Sequence, residues 1–158
     1  WYGGAWQLAG ETRYVFAGDL AVQERDGNNY TLVTYTRGLD LSGSLQGGGG
    51  IGGLLARSAI VGTSTQHSFY HADGNGNVTM LIDASQQVAA KYLYDPYGRM
   101  LFSSGSVAAG NLYRFSSKEA HESSGLAFYG RRYYEPGLQR WLNRDPLGEE
   151  GGINLYAF

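Results

Sequence analysis

The stretch that decides the reading lies in the last third of the chain. It runs Arg114-Phe115-Ser116-Ser117-Lys118-Glu119, then Gly125-Leu126-Ala127-Phe128-Tyr129-Gly130-Arg131-Arg132-Tyr133-Tyr134-Glu135-Pro136, then Gln139-Arg140-Trp141-Leu142-Asn143-Arg144-Asp145-Pro146-Leu147-Gly148. Gly151-Gly152-Ile153-Asn154-Leu155-Tyr156 follows near the end. Aromatics and arginines interleave closely, and two X-Pro turns interrupt them. Tyr with Arg suits a surface that is partly apolar and partly wet, because ring faces accept guanidinium stacking. A purely structural account fits as well: a Tyr-rich sheet whose rings are covered by Arg.

Taken as one string, Leu112 to Phe158 resembles the core domain associated with Rhs (YD-repeat) proteins. The departures are Ala127 where that family has Tyr, Gly130 for Arg, Glu135 for Asp and Gln139 for Gly. A long ordered string is a far more specific signal than a three-residue motif. The resemblance weakens upstream but continues through Tyr92-Leu93-Tyr94-Asp95-Pro96-Tyr97-Gly98-Arg99, which is similar to the YD unit itself.

The chain has 158 residues, 42% of them hydrophobic and 16% charged, enough for one domain with a core. A formal charge of -2 gives no global electrostatic case for nucleic acid or an anionic membrane. The basic residues near the end have Glu119, Glu122, Glu135 and Asp145 among them, a mixed surface rather than a phosphate-tracking strip. With no cysteine, disulfides, thiolate catalysis and cysteine zinc sites are excluded. No apolar run is long enough to span a bilayer. Opening on Trp1-Tyr2, the sequence reads as a piece of something longer. With 25 Gly and 13 Tyr against three Pro, short strands and tight turns are favoured over helix, where each interior Gly costs about 1 kcal/mol.

Period-two alternation predicts strands at 12–16 and 20–24, and a return at 30–37 after an Asp26-Gly27-Asn28-Asn29 hairpin turn. The glycines at 47–50, 52 and 53 satisfy a dinucleotide pattern formally (Gly48, Gly50, Gly53), but no strand-to-helix switch flanks them. A connector where backbone passes close to other backbone is the better account. Residues 58–65 are polar and read as a loop. His67, Phe69 and His71 share one strand face, and no third metal ligand accompanies the histidines. Asp73, Asn75 and Asn77 have calcium-loop spacing, yet Val78 stands where Gly is required and Ala84 where a bidentate Glu belongs, so a hairpin turn is expected. Asp83 to Gln86 turns the chain again, into a strand at 88–94. Asp95-Pro96-Tyr97-Gly98 fits a type I turn, and a strand leaves from Arg99. The 22 residues from Asp73 to Asp95 fit one strand-turn-strand unit of a tandem array, whose isolated end strands leave sheet edges bare. One short helical turn is expected at 136–142.

The reading is therefore mainly β: antiparallel strand-turn-strand YD-repeat-like units over 1–110, then a core segment over 111–158 with a short helical turn. The resemblance implies that such units form part of a spiralling sheet, a hollow shell whose core segment closes one end as an inward plug, as in Rhs toxins, related toxin C components and teneurin shells. It also implies a secreted or cell-surface protein that holds a C-terminal effector inside and releases it by self-cleavage. Motif positions carried over are Tyr94, Asp95, Gly98, Gly125, Leu126, Arg132, Tyr133, Tyr134, Pro136, Arg140, Pro146 and Gly148. Partners would be neighbouring repeats, a C-terminal toxin domain and secretion machinery, with no cofactor, metal or nucleic acid.

The residues that match the family's proposed aspartyl autoprotease are Arg144 and Asp145. That chemistry needs a second carboxylate to share a proton with the first. Glu149 and Glu150 are near in sequence but belong to no matched pattern, and the family's downstream D-P-x-G-L motif is not among these residues. Asp145 also fits a turn cap before Pro146. Three readings follow: a shell and plug module, a self-cleaving aspartyl protease, and a surface-binding module using Trp1, Trp6 and Trp141.

Overall fold

A computed structural model describes Leu8 and residues 10–158 of the chain. Eight strands run antiparallel in sequence order: β1 Thr12–Ala17, β2 Leu20–Asp26, β3 Thr31–Arg37, β4 Leu54–Val61, β5 Ser64–Ala72, β6 Val78–Asp83, β7 Val88–Tyr94 and β8 Met100–Ser104. Four shorter strands make a second sheet: β9 Glu119–His121, β10 Leu126–Phe128, β11 Tyr133–Glu135 and β12 Arg140–Trp141. Among the described residues no helix is long and apolar enough to cross a membrane.

One turn recurs along the large sheet. Asp26, Asp73, Asp83 and Asp95 each accept, on Oδ1, the backbone N–H groups two and four residues on, at 2.8–3.0 Å. The residue three on from each (Asn29, Gly76, Gln86, Gly98) has φ between 63 and 87°. The carboxylate thus does locally what a backbone carbonyl would do and fixes where each hairpin reverses. The expected turns at 26–29, 73–77, 83–86 and 95–98 are of this kind.

Period-two burial then places Val33, Tyr35, Leu54, Leu81, Ala90 and Tyr92 on one face, where they form the main core. The opposite face leaves Phe69, Val88, Leu93 and Phe102 about half exposed. As anticipated for terminal strands, β1 and β8 lie at the two edges.

Two local expectations are corrected. Residues 58–65 form no loop: Ile60 pairs with Thr65 and Val61 with Ser64 around a two-residue turn in which Gly62 has φ 62°. This tip is solvent-exposed, so its strands need backbone pairing and β-branched residues, with no apolar alternation. Residues 136–142 form no helical turn. Glu135 pairs with Arg140 across a tight reversal that puts Gln139 at φ 56°, incompatible with right-handed helix. The 3₁₀ turns lie elsewhere in the core segment, at Phe115–Ser117 and Gly148–Gly151.

Candidate functional site

The second sheet is joined to the first through residues 111–118, which lie against the tyrosine face of the large sheet. Tyr113 is buried and meets Tyr35 edge-on at 4.8 Å between ring centres. Tyr70 Oη donates to Asn111 Oδ1 at 2.7 Å, and Asn111 Nδ2 donates to the Tyr113 carbonyl. Arg37 covers the Tyr113 ring at 4.9 Å and Arg114 covers Tyr92 at 5.6 Å. Burial pushes the Tyr113 phenol up to about 12.

Below this lies the glycine-rich segment. Asp40 is its organiser: one oxygen accepts the Ser42 N–H and hydroxyl, the other the N–H groups of Gly48 and Gly50 at 2.7 and 3.0 Å. The Ser42 hydroxyl first, and then these amides, hold the Asp40 carboxyl down at about 2. At Gly76, a Cβ would stand 2.7 Å from the Gly52 nitrogen, so the two loops touch backbone to backbone. This is the close crossing expected of the glycine run, and it holds a side-chain carboxylate in place of a phosphate.

Past the crossing, the second sheet packs an aromatic cluster around Tyr134. Phe158 stacks on that ring at 3.8 Å between centres, Trp141 stands edge-on at 5.7 Å, and Phe115 stacks at 6.4 Å. Tyr134 Oη donates to the Tyr97 carbonyl at 2.8 Å. Arg132 lies over Trp141, 4.1 Å from its ring centre, and pairs with Asp145 Oδ2 at 2.7 Å. Asp145 Oδ1 accepts the Leu147 N–H, and the Gly148 N–H donates to the Asp145 carbonyl, with Gly148 at φ 62°. Both bonds and the positive φ match those at Asp95-Pro96-Tyr97-Gly98, where the Asp95 carboxylate also accepts the Arg99 N–H.

The sequence-derived positions therefore fall at four places. Tyr94 (donating to the Val78 carbonyl), Asp95 and Gly98 sit where the large sheet meets Phe115; a Cβ on Gly98 would collide with that ring. Gly125 closes the β9–β10 turn, its N–H donating to the His121 carbonyl, and Leu126 opens β10 opposite His121. Tyr133, Tyr134, Pro136 and Arg140 build the β11–β12 hairpin, while Pro146 and Gly148 belong to the Asp145 turn. Arg144 is exposed and stands apart from Asp145's contacts. Trp141 is buried and Arg132 covers its ring; Trp1 and Trp6 lie outside the described residues. His67 and His71 each bond a hydroxyl, of Ser58 and Thr79.

Asp145 and Glu119 both line an open groove of about 1020 Å³ between the sheets, together with Arg37, Lys118, Tyr129 and Arg132. Burial raises the Glu119 carboxyl, and burial lowers the Lys118 ammonium. Asp40, Ser117, Lys118 and Glu119 carry no site role in the sequence reading. Asp40 was findable, as a lone carboxylate before a run of free glycine N–H groups.

No family model matches the chain. Among curated proteins, it is 30% identical over 147 residues to the tRNA3(Ser)-specific nuclease WapA of Bacillus spizizenii, covering 91% of this chain and 6% of that protein. It is 36% identical over 84 residues to toxin subunit YenC1 of Yersinia entomophaga, covering 51% of this chain and 8% of that one. Among solved structures, TcdB2-TccC3 without its hypervariable C-terminal region superposes with a TM-score of 0.68 at 24% identity, over 93% of this chain and 7% of that chain. The similar curated proteins thus include a toxin subunit and a tRNA-specific nuclease. The fold matches that structure, and the chain spans under a tenth of the length of each of these three.

Proposed function

We propose that this chain is a wall-and-plug segment of an Rhs-type toxin protein. The eight-stranded sheet is a length of shell wall, 111–158 is the plug, and together they help enclose a C-terminal effector of a secreted or cell-surface protein. Its partners are neighbouring repeats of the same wall, that effector and the export machinery. The observation that carries this is the seating of Tyr113 among the tyrosines of the wall, with Arg37 and Arg114 layered on the rings. Such aromatic-guanidinium contacts suit an internal closure. The likeness to toxin subunits supports it. The test is protease protection in the full-length protein: the effector resists digestion in the parent and becomes cleavable when Tyr113→Ala and Phe115→Ala loosen the plug. An effector equally open to protease in the parent sinks the reading.

A second reading has an observation of its own. Asp145 and Glu119 line the same groove, and an aspartyl self-cleavage centre would use them as its two carboxylates. Against it, Asp145 already pairs with Arg132 and caps its turn. In the full-length protein, Asp145→Asn cutting as fast as the parent removes this reading and leaves the first intact.

A further inference from the structure

We infer that residues 114–118 are a strained, hydroxyl-pinned hook about which the C-terminal sheet opens as one unit, leaving the large sheet folded. The inference deepens the plug reading by naming how the plug is held.

The hook is caught between two loops distant in sequence. Ser117 Oγ donates to the Gly76 carbonyl at 2.7 Å and accepts the Gly52 N–H at 3.0 Å. The Ser116 N–H donates to Asn77 Oδ1 at 2.8 Å, and the Val78 N–H donates to the Arg114 carbonyl at 3.0 Å. Lys118 Nζ donates to the Gly49 carbonyl at 2.6 Å. The buried Ser117 hydroxyl therefore closes a junction at which Gly52 and Gly76 already touch.

The same hook is conformationally costly. Ser116 and Ser117 have φ of 51 and 53°, a region that non-glycine residues avoid, and Arg114 sits at φ -134°, ψ -111°. Two consecutive serines persist there only because the surrounding bonds over-determine them.

Around the hook the interface is hollow. The 1020 Å³ groove lies against Ser117, Lys118 and Glu119, and a second cavity of about 380 Å³ lies against Arg114, Phe115 and Ala120. The C-terminal sheet is thus carried on the hook, on ring contacts such as Phe115 with Tyr94, and on single hydrogen bonds from Tyr14 to Glu119 and from Tyr134 to the Tyr97 carbonyl, across an interface interrupted by these cavities. Elements joined this way open at lower free energy than the sheet interior.

Hydrogen exchange by mass spectrometry on the 158-residue chain tests this. In the parent, peptides across 119–141 should exchange together and faster than those across 54–94. Ser117→Ala should speed 119–141 about tenfold and leave 54–94 unchanged. Ser116→Gly keeps the backbone donor and removes the strain, and should slow 119–141 several-fold. Lys118→Met should act as Ser117→Ala does, and supplies the readout if that variant does not fold. Both regions accelerating equally, no change in Ser117→Ala or in its stand-in, or faster exchange in Ser116→Gly would overturn the hook. Effector protection is read separately in the full-length protein, so the hook and the encapsulating role can fail independently.

Discussion

Arg132 and Asp145, thirteen residues apart, form a 2.7 Å ion pair with side chains only 22% and 17% exposed, and the Trp141 ring lies beneath the guanidinium. The pair joins the loop before β11 to the Asp145 turn. One oxygen of Asp145 belongs to the pair and the other to the cap.

Partial burial makes this pair worth more than an exposed one. A double-mutant cycle with Arg132→Met and Asp145→Asn should give a coupling of about 1–2 kcal/mol in urea unfolding. Asp145→Ala should cost about 1 kcal/mol beyond Asp145→Asn, because it also leaves the Leu147 N–H without its acceptor. A coupling of zero would show that the cap alone holds the turn.

Gly76→Ala and Gly62→Ala make the same change at two left-handed positions, φ 76° and 62°. At 62 nothing lies within 4 Å, so only the backbone preference is lost, about 1–2 kcal/mol. At 76 the new methyl meets the Gly52 nitrogen and the Ile51 side chain, and about 2 kcal/mol of overpacking should add to that. Equal losses in thermal or urea unfolding would contradict the crossing.

The Asp40 carboxyl titrates near 2 when folded against an ordinary value of 3.8. A depressed carboxyl stabilises above its unfolded value and loses that contribution as pH falls through its folded value. Amide exchange at Gly48 and Gly50, measured by NMR, should therefore stay slow at pH 5 and lose its protection between about pH 4 and pH 2. Protection unchanged across that window would separate Asp40 from the loop.

Burial raises the phenols of Tyr14, Tyr35, Tyr70, Tyr92, Tyr94, Tyr113, Tyr129 and Tyr134. A raised phenol favours folding fully below its unfolded value of 10, and that advantage shrinks as pH climbs beyond it. The share of the phenolate absorbance that belongs to these eight tyrosines should thus rise in one cooperative step that coincides with loss of β circular dichroism above about pH 10. Gradual ionisation of the whole set with the sheet intact would contradict the packing.

Most of the large sheet was legible because its turns are written locally. Asp26, Asp73, Asp83 and Asp95 announce four of its seven reversals, and alternation fixes which side of most strands is covered. The Ser58–Thr65 hairpin escaped because a solvent-exposed tip has no apolar side to display. The turn at 136–142 was mistaken because Pro136 permits a helix start, while pairing of Tyr134 with Trp141 decides otherwise. Nothing local marks Ser116 and Ser117 for left-handed backbone. Their geometry is imposed by Gly52 and Gly76, 65 and 41 positions away from Ser117. Asp145 was legible as a turn cap, whereas its cationic partner emerges only from the folded second sheet.

Strand order in the large sheet is also chain order, so each ribbon's partner has only just been synthesised when it emerges from the ribosome. Such a sheet can zip up progressively, sparing it the slow searches that burden β proteins with distant pairings. The long return from Ser117 to Gly52 comes last in that sequence, after the whole meander has been translated.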